Sequence, residues 1–419
     1  MEDKRKSKLI AQAQAAKIAS RQVAQLTNQQ RRQILLTMAT ALQDNSEEIF
    51  FQNNIDIEAA RQAKLNPALI DRLTLNQGRL AEMVKSVKEI ADQPDFLNEV
   101  IADWRRPNGL HIQKVRVPLG VVGIIYESRP NVTIDAAALA IKSGNAVILR
   151  GGSEAINSNR ALVKTIIPAA TQQGLPAGSI EFIEETDREI IYQMVRLDDF
   201  IDLIIPRGNA EMIKTIRQQA TVPVLAHGQG LCHTYVDKDA DIAMAKNISF
   251  NAKCQRPGVC NAMETLLVHK DIAKKFLPGI CEMYQQAGVE IRGCPITQSI
   301  VSFARAATEA DWETEYLDLI ISIRVVDSLE EAIEHINRYG SGHSEAIITE
   351  NKAAAEKFLR EVEAAAVFHN ASTRLHDGGV FGLGAEIGIS TQKLHARGTM
   401  GAKELTTTKY LVRGTGQIR

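Results

Sequence analysis

Gly144-Asn145-Ala146-Val147-Ile148-Leu149-Arg150-Gly151-Gly152-Ser153-Glu154-Ala155 is the stretch that sets the architecture. The short apolar run Ala146–Leu149 stops at two glycines, and a helical pattern begins near Ala155, which reads as a buried strand turning into a helix. The same rhythm extends in both directions. Val121–Ile125, Ile180–Ile183, Leu203–Ile205 and Val222–Leu225 are further strand candidates, and helical patterns at about 134–143, 155–172, 188–196 and 209–220 alternate with them. Such alternation predicts a mostly parallel sheet covered by helices on both faces.

A second series follows. The run Glu264–Val268, a helix over 271–287, the run Ile320–Val325, a helix over 328–339, Glu345–Ile348, a helix over 351–362 and Ala366–His369 predict a second α/β domain. Before the first sheet, residues 8–43 and about 46–92 read as helical, the latter broken near Asn66-Pro67. Trp104–Leu110 followed by His111–Val117 reads as a hairpin around Asn108-Gly109, and the tail is β-prone over Thr406–Val412. Both are edges that another subunit would complete, a solvated hairpin and frayed tail being the other reading.

The 419 residues carry a formal net charge of −1 and are 45% hydrophobic, which describes a globular chain of two or three domains and gives no basis for a nucleic-acid or membrane-surface partner. No run of 18 apolar residues occurs and the N-terminus Met1–Lys8 is charged on both signs with no apolar stretch behind it, so a cytoplasmic location is expected. Five cysteines at irregular spacings, with no C-x-x-C pair, disfavour a disulfide framework or a metal site. Cys232, Cys281 and Cys294 read as packing residues.

The two remaining thiols lie in Asn251-Ala252-Lys253-Cys254-Gln255-Arg256-Pro257-Gly258-Val259-Cys260-Asn261, which reads as a polar, turn-rich loop before a strand. Arg256 and the backbone N–H groups of such a loop favour thiolate, the form in which a cysteine is a nucleophile. Gly151-Gly152-Ser153 sits between strand and helix, so its amides can approach a phosphate at a positive helix start. Arg207-Gly208-Asn209, ahead of a helix at Ala210, is a second such turn, or simply an Asn N-cap.

Taken together, Pro118–Thr133, Gly144–Ala155, Gln255-Arg256-Pro257 with Cys260-Asn261, Val326 with Ala332–Ile347, and Asn370–Arg374 with Phe381–Glu386 resemble the aldehyde dehydrogenase superfamily over essentially the whole chain. Within it they are most similar to the branch that reduces L-glutamyl 5-phosphate, a step of proline biosynthesis. The resemblance implies a Rossmann-type cofactor domain (1–105 and 119–226), a second α/β catalytic domain (227–395), and a small β oligomerisation element (106–118 and 396–419), hence a homo-oligomer. Counting back from Thr265–Val268 places Cys260, not Cys254, at the family's nucleophile offset. Asn131 matches its oxyanion-hole amide. Arg150, Gly151, Gly152, Ser153, Gly208 and Glu315 match its cofactor contacts.

Where the superfamily places a Glu on the adenosine 2′-hydroxyl this chain has Ser153, which together with Arg150 implies NADPH/NADP, since a Glu would repel a 2′-phosphate. His227 stands where hydrolytic members carry a Glu that activates water. The implied reaction is attack of Cys260 on L-glutamyl 5-phosphate, with Arg129 or Arg256 steadying the departing phosphate and Ser372, Thr373 and Arg374 holding the substrate's amino-acid end. Glutamate 5-kinase is an implied partner for substrate transfer. A coenzyme-A-dependent aldehyde dehydrogenase and a catalytically silent scaffold of the same fold are the alternatives.

Overall fold

A computed structural model describes residues 2–226 and 228–419. The chain separates into two compact units, one comprising Met1–Ala226, Gly382–Gly388 and Met400–Arg419, the other His227–Phe381 and Ile389–Thr399. The segment 382–388 and the tail from Met400 therefore pack with the first unit.

The first unit is built on a four-stranded parallel sheet in the order Ile180–Phe182, Ala146–Gly151, Val121–Tyr126, Leu203–Arg207. Every residue of Val121–Tyr126 and Ala146–Gly151 is buried, which is why these strands read as unbroken apolar runs instead of alternating ones. Helices Pro130–Lys142, Ile156–Gln172, Glu189–Met194 and Ala210–Gln219 fill the crossovers. Five more helices precede the sheet, from Glu2–Val23 to Gln77–Asp92, and Leu9, Ala13 and Ala16 of the first are buried in the sheet's core. Val222–Leu225, expected as a strand, forms only a bridge between Val224 and Ile204. Pro223 there has no N–H to give and can only accept from Ile204, so the ladder stops.

A separate antiparallel sheet in the same unit joins Val100–Arg105, His111–Pro118 and Thr406–Arg413, with His111–Pro118 central. Its hairpin turns at Asn108-Gly109, where Gly109 has φ +91°, a value that favours glycine. The first arm begins at Val100, earlier than the sequence pattern indicates.

The second unit carries a seven-stranded sheet, all parallel, in the order Arg305–Ala306, Glu290–Gly293, Ile320–Val326, Met263–His269, Cys232–Val236, Ser344–Ile348, Ala366–His369. Met263–His269 is central and wholly buried. The helix Ile242–Cys254 was not anticipated; it is capped by Asp241, whose side chain accepts from the Met244 N–H. It absorbs Asn251–Cys254, so the thiol-bearing loop is shorter than the sequence suggests and starts at Gln255. Among the described residues no helix is long and apolar enough to cross a membrane.

Candidate functional site

Each unit holds one cluster of the predicted residues. In the first, strand order reverses at Val121–Tyr126, and a crevice outside the carboxyl ends of the strands is expected at such a switch point. A cavity of about 260 Å³ lies there, lined among others by Tyr126, Glu127, Arg150, Gly152, Ser153, Arg188 and Asn209. Two helix starts open onto it, at Ser153 and at Ala210. The second is capped by Asn209, whose Oδ1 accepts from the Met212 N–H at 2.9 Å.

Arg150 lines this cavity but is nearly buried, and its guanidinium donates to the carbonyls of Gly151 (3.0 Å), Thr186 (2.8 Å) and Asp187 (3.4 Å). It fastens the strand end to the loop before Glu189. Arg188, from that loop, is exposed and lines the same cavity, a cation that sequence matching to the Gly-Gly turn had no means of finding. Ser153 is exposed at the helix start. Its neighbour Glu154 is engaged by Ser128, whose N–H and Oγ both donate to Oε1 at 2.6 Å. Ser128 is held at φ +40°, a strained backbone for a residue with a side chain. Glu127 accepts from the Asn209 N–H (3.3 Å) and Nδ2 (3.2 Å), and burial raises its carboxyl above the ordinary range.

The glycines act through packing. A Cβ at Gly208 would come within 2.3 Å of Met212 Cε, and one at Gly151 within 2.2 Å of the buried Asn159 amide. Asn131 is exposed on the first turn of Pro130–Lys142, where Nδ2 donates to Asp135 at 3.0 Å. Arg129 immediately precedes that helix. Switch-point location, paired helix starts and an exposed arginine together fit a nucleotide with anionic groups.

In the second unit Cys260 lies in a tight turn closed by the Ala262 N–H on the Val259 carbonyl at 3.0 Å, directly before the strand Met263–His269. Both thiols are partly exposed, but Cys254 ends the helix and packs on the unit's core, and burial pushes that thiol up to about 11. The helix end is pinned from below by Lys253, whose Nζ lies 2.6 Å from Glu264 Oε2 with both side chains fully buried. Burial drives each of the two toward its neutral form, with the partner opposing it.

Residues predicted to hold substrate brace this turn. Thr373 is fully buried and donates from Oγ1 to the Asn261 carbonyl at 2.8 Å. Arg374 reaches Gln255 Oε1 at 2.9 Å and also the Asn261 side chain. Ser372, buried, caps the short helical turn Thr373–Leu375 by accepting from the Arg374 N–H. Arg256 is exposed in the loop and close enough to Arg374 to depress its pKa, after burial. Glu315 belongs to this unit and accepts from the Gly230 N–H at 2.9 Å, while Gly230 packs so tightly on Cys260 that a Cβ there would lie 2.2 Å from the Cys260 carbonyl oxygen. His227 lies outside the described residues.

A family model described as "Aldehyde dehydrogenase family" matches residues 1–292 and 309–409. A curated protein from Moorella thermoacetica named gamma-glutamyl phosphate reductase is 56% identical over 406 residues, 97% of each chain. The crystal structure of gamma-glutamyl phosphate reductase from Thermotoga maritima superposes with a TM-score of 0.95 at 50% identity, covering 98% of this chain and 99% of that one. An acetylating aldehyde dehydrogenase from Geobacillus thermoglucosidasius, at 18% identity and TM-score 0.71 over 99% of this chain and 98% of that one, shares the fold.

Proposed function

The chain belongs to the aldehyde dehydrogenase family, and we propose that within it the chain reduces L-glutamyl 5-phosphate to L-glutamate 5-semialdehyde and phosphate, a step of proline biosynthesis in the cytoplasm. The observation that carries the reading is the Cys260 turn, a partly exposed thiol whose flanking peptide is fixed on several sides. Relatives named for this activity span 97% of the chain.

Cys260 thiolate attacks the acyl carbon, and the carbon–oxygen bond to phosphate breaks as the thioester forms. NADPH, when bound, supplies the hydride that reduces this thioester. The Cys260 N–H and the Asn131 amide are the proposed donors to the oxyanion, and collapse of the thiohemiacetal returns the thiolate and releases the semialdehyde. Arg256 or Arg129 balances the charge of the departing phosphate. Ser153 and the helix starts at Ser153 and Ala210 receive the cofactor's phosphates, with Arg188 as the exposed cation and Arg150 as the residue that positions the loop bearing it. Glu315 is the proposed contact to the nicotinamide ribose. Exposed Val100, Ile101, Trp104, Tyr410 and Val412 on the antiparallel sheet make that sheet the proposed contact with a second copy.

The test runs the reaction backwards, with glutamate 5-semialdehyde and NADP at fixed aldehyde, varying only the acyl acceptor. NADPH formation that requires phosphate or arsenate supports the reading. Formation that requires coenzyme A instead, or that proceeds as fast in water alone, overturns it.

A further inference from the structure

Cys232 opens the strand beside the nucleophile's own and is fully buried. Its Sγ lies 3.2 Å from the Cys260 carbonyl oxygen and 3.7 Å from His343 Nδ1. His343 Nδ1 is 2.7 Å from Ser344 Oγ, and Ser344 Oγ is 2.8 Å from His376 Nδ1. The carbonyl of His376 accepts from Asn261 Nδ2 at 3.0 Å. Starting at the carbonyl of Cys260, this chain of buried polar groups returns to the side chain of the next residue.

The segment that supplies His343 and Ser344 also holds the strand carrying Cys232. Ser341 Oγ accepts from the Leu231 N–H at 3.0 Å, and Glu345 Oε2 accepts from the His233 N–H at 2.7 Å. Gly230, two residues before Cys232, allows the close approach that brings the thiol under the turn. Cys232, His343, Ser344 and His376 are buried, so none of the four is placed to touch substrate, and an apolar core would be cheaper to build than a chain of two imidazoles, a hydroxyl and a thiol.

We propose that Cys232, backed by the His343–Ser344–His376 chain, is a positioning residue for the nucleophile: its S–H donates to the Cys260 carbonyl and fixes the peptide that sets the direction of the Cys260 side chain. This rests on the reading of Cys260 as nucleophile. The thiol is suited to the role because burial keeps it protonated well beyond neutral pH, so the donor is always present.

The experiment compares Cys232→Ala with Cys232→Ser in the full chain, measuring kcat and KM for glutamate 5-semialdehyde in the phosphate-dependent reverse reaction, with melting temperature recorded alongside. A lost hydrogen bond corresponds to roughly a tenfold fall in kcat for Cys232→Ala with KM within about twofold, and Cys232→Ser, which keeps a donor, recovers most of it. A buried cysteine that merely packs gives the opposite order, since a hydroxyl in that place is worse than a methyl. Ser no better than Ala, or both at the wild-type kcat, overturns the proposal. Should Cys232→Ala not fold, Ser344→Ala cuts the chain two links away, and a fall in kcat at unchanged KM is expected there; wild-type kcat overturns the proposal. Cys260→Ala is assayed in parallel: if it stays active, the nucleophile reading fails and the proposal with it, whereas an inactive Cys260→Ala with Cys232→Ser no better than Cys232→Ala rejects the positioning role alone.

Discussion

The two clusters are built by opposite means. Around the cavity of the first unit, the proposed recognition rests on backbone: helix starts at Ser153 and Ala210, crowded glycines, and a guanidinium, Arg150, engaged by carbonyls. Around Cys260, side chains do most of the fastening: Cys232, Thr373 and Arg374 each hold a different group of the same turn, and the His376 carbonyl accepts from the Asn261 side chain. A surface that binds a large anionic ligand by many weak contacts tolerates the loss of one. A nucleophile that must point in one direction does not. Substitutions near Cys260 are therefore expected to act on kcat, and those in the cavity on cofactor affinity.

The sharpest contrast is between the two loop thiols. Cys260→Ala is expected to lower turnover by about a thousandfold or more while cofactor binding, followed by fluorescence quenching, stays intact. Cys254→Ala should remain within about tenfold of wild type. Iodoacetamide at pH 7 should alkylate Cys260 well ahead of Cys254, whose thiol burial holds at about 11. Exchanged phenotypes would put the nucleophile on the helix end instead of in the turn.

Gly230→Ala comes next. The new Cβ would meet the Cys260 carbonyl oxygen at 2.2 Å and its Cα at 2.5 Å, both backbone atoms, so the turn itself must move. A displacement of that size corresponds to a loss of about 10- to 100-fold in kcat. Steady-state kinetics showing a change in KM alone would mean that the turn has slack the packing does not suggest.

In the cavity the expected effects are smaller and fall on cofactor choice. Ser153→Glu should disfavour NADPH relative to NADH by about 1–3 kcal/mol through repulsion of the 2′-phosphate. Arg188→Ala should shift preference the same way, and binding of 2′-phospho-AMP by calorimetry reads the effect without turnover. A larger shift from Arg150→Ala than from Arg188→Ala would mean that the buried guanidinium leaves its carbonyls to reach the ligand.

The fold was legible because buried parallel strands are written as unbroken apolar runs, and the strands Val121–Tyr126, Ala146–Gly151 and Met263–His269 are such runs. Val222–Leu225 has the same composition, yet Pro223 decides the outcome through a missing donor, a detail that hydropathy does not carry. The place of Cys260 just ahead of a strand was legible, since the strand Met263–His269 follows it as the apolar run Glu264–Val268 indicated. Arg188 was not, because what exposes it to the cavity is the capture of Arg150 by the Thr186 and Asp187 carbonyls, a tertiary event. Ser341–Glu345 was visible only as a match to a family pattern. Its physical work, clamping Gly230–His233 beneath the Cys260 turn, depends on strand Ser344–Ile348 lying beside Cys232–Val236, and neighbours in a sheet are not neighbours in sequence.

The least effect on activity, and the clearest on pH response, is expected from His335. Its ring packs against Trp312 and Tyr339, neither ring nitrogen has a hydrogen-bond partner, and burial lowers its pKa to about 2. An imidazole that titrates near 6.5 in the unfolded chain and near 2 in the folded one takes up a proton only on unfolding between those values. Stability is therefore undiminished above about pH 6.5 and is lost progressively as pH falls below it, by at most about 2 kcal/mol at pH 5 for one such group. His335→Phe keeps an aromatic ring among aromatic neighbours and removes both orphaned nitrogens and the titration. Melting temperatures at pH 7 and pH 5 should then differ less in the variant than in the wild type, with kcat at pH 7 unchanged. The buried carboxyl of Glu345, raised well above the ordinary range, responds in the opposite sense, so the comparison is made between variant and wild type at each pH and not on the slope of either alone. A variant that loses stability equally at both pH values would show that the His335 nitrogens are solvated or partnered in solution and that the acid response belongs to His233 or His376, whose pKa values burial lowers to about 3 and about 4.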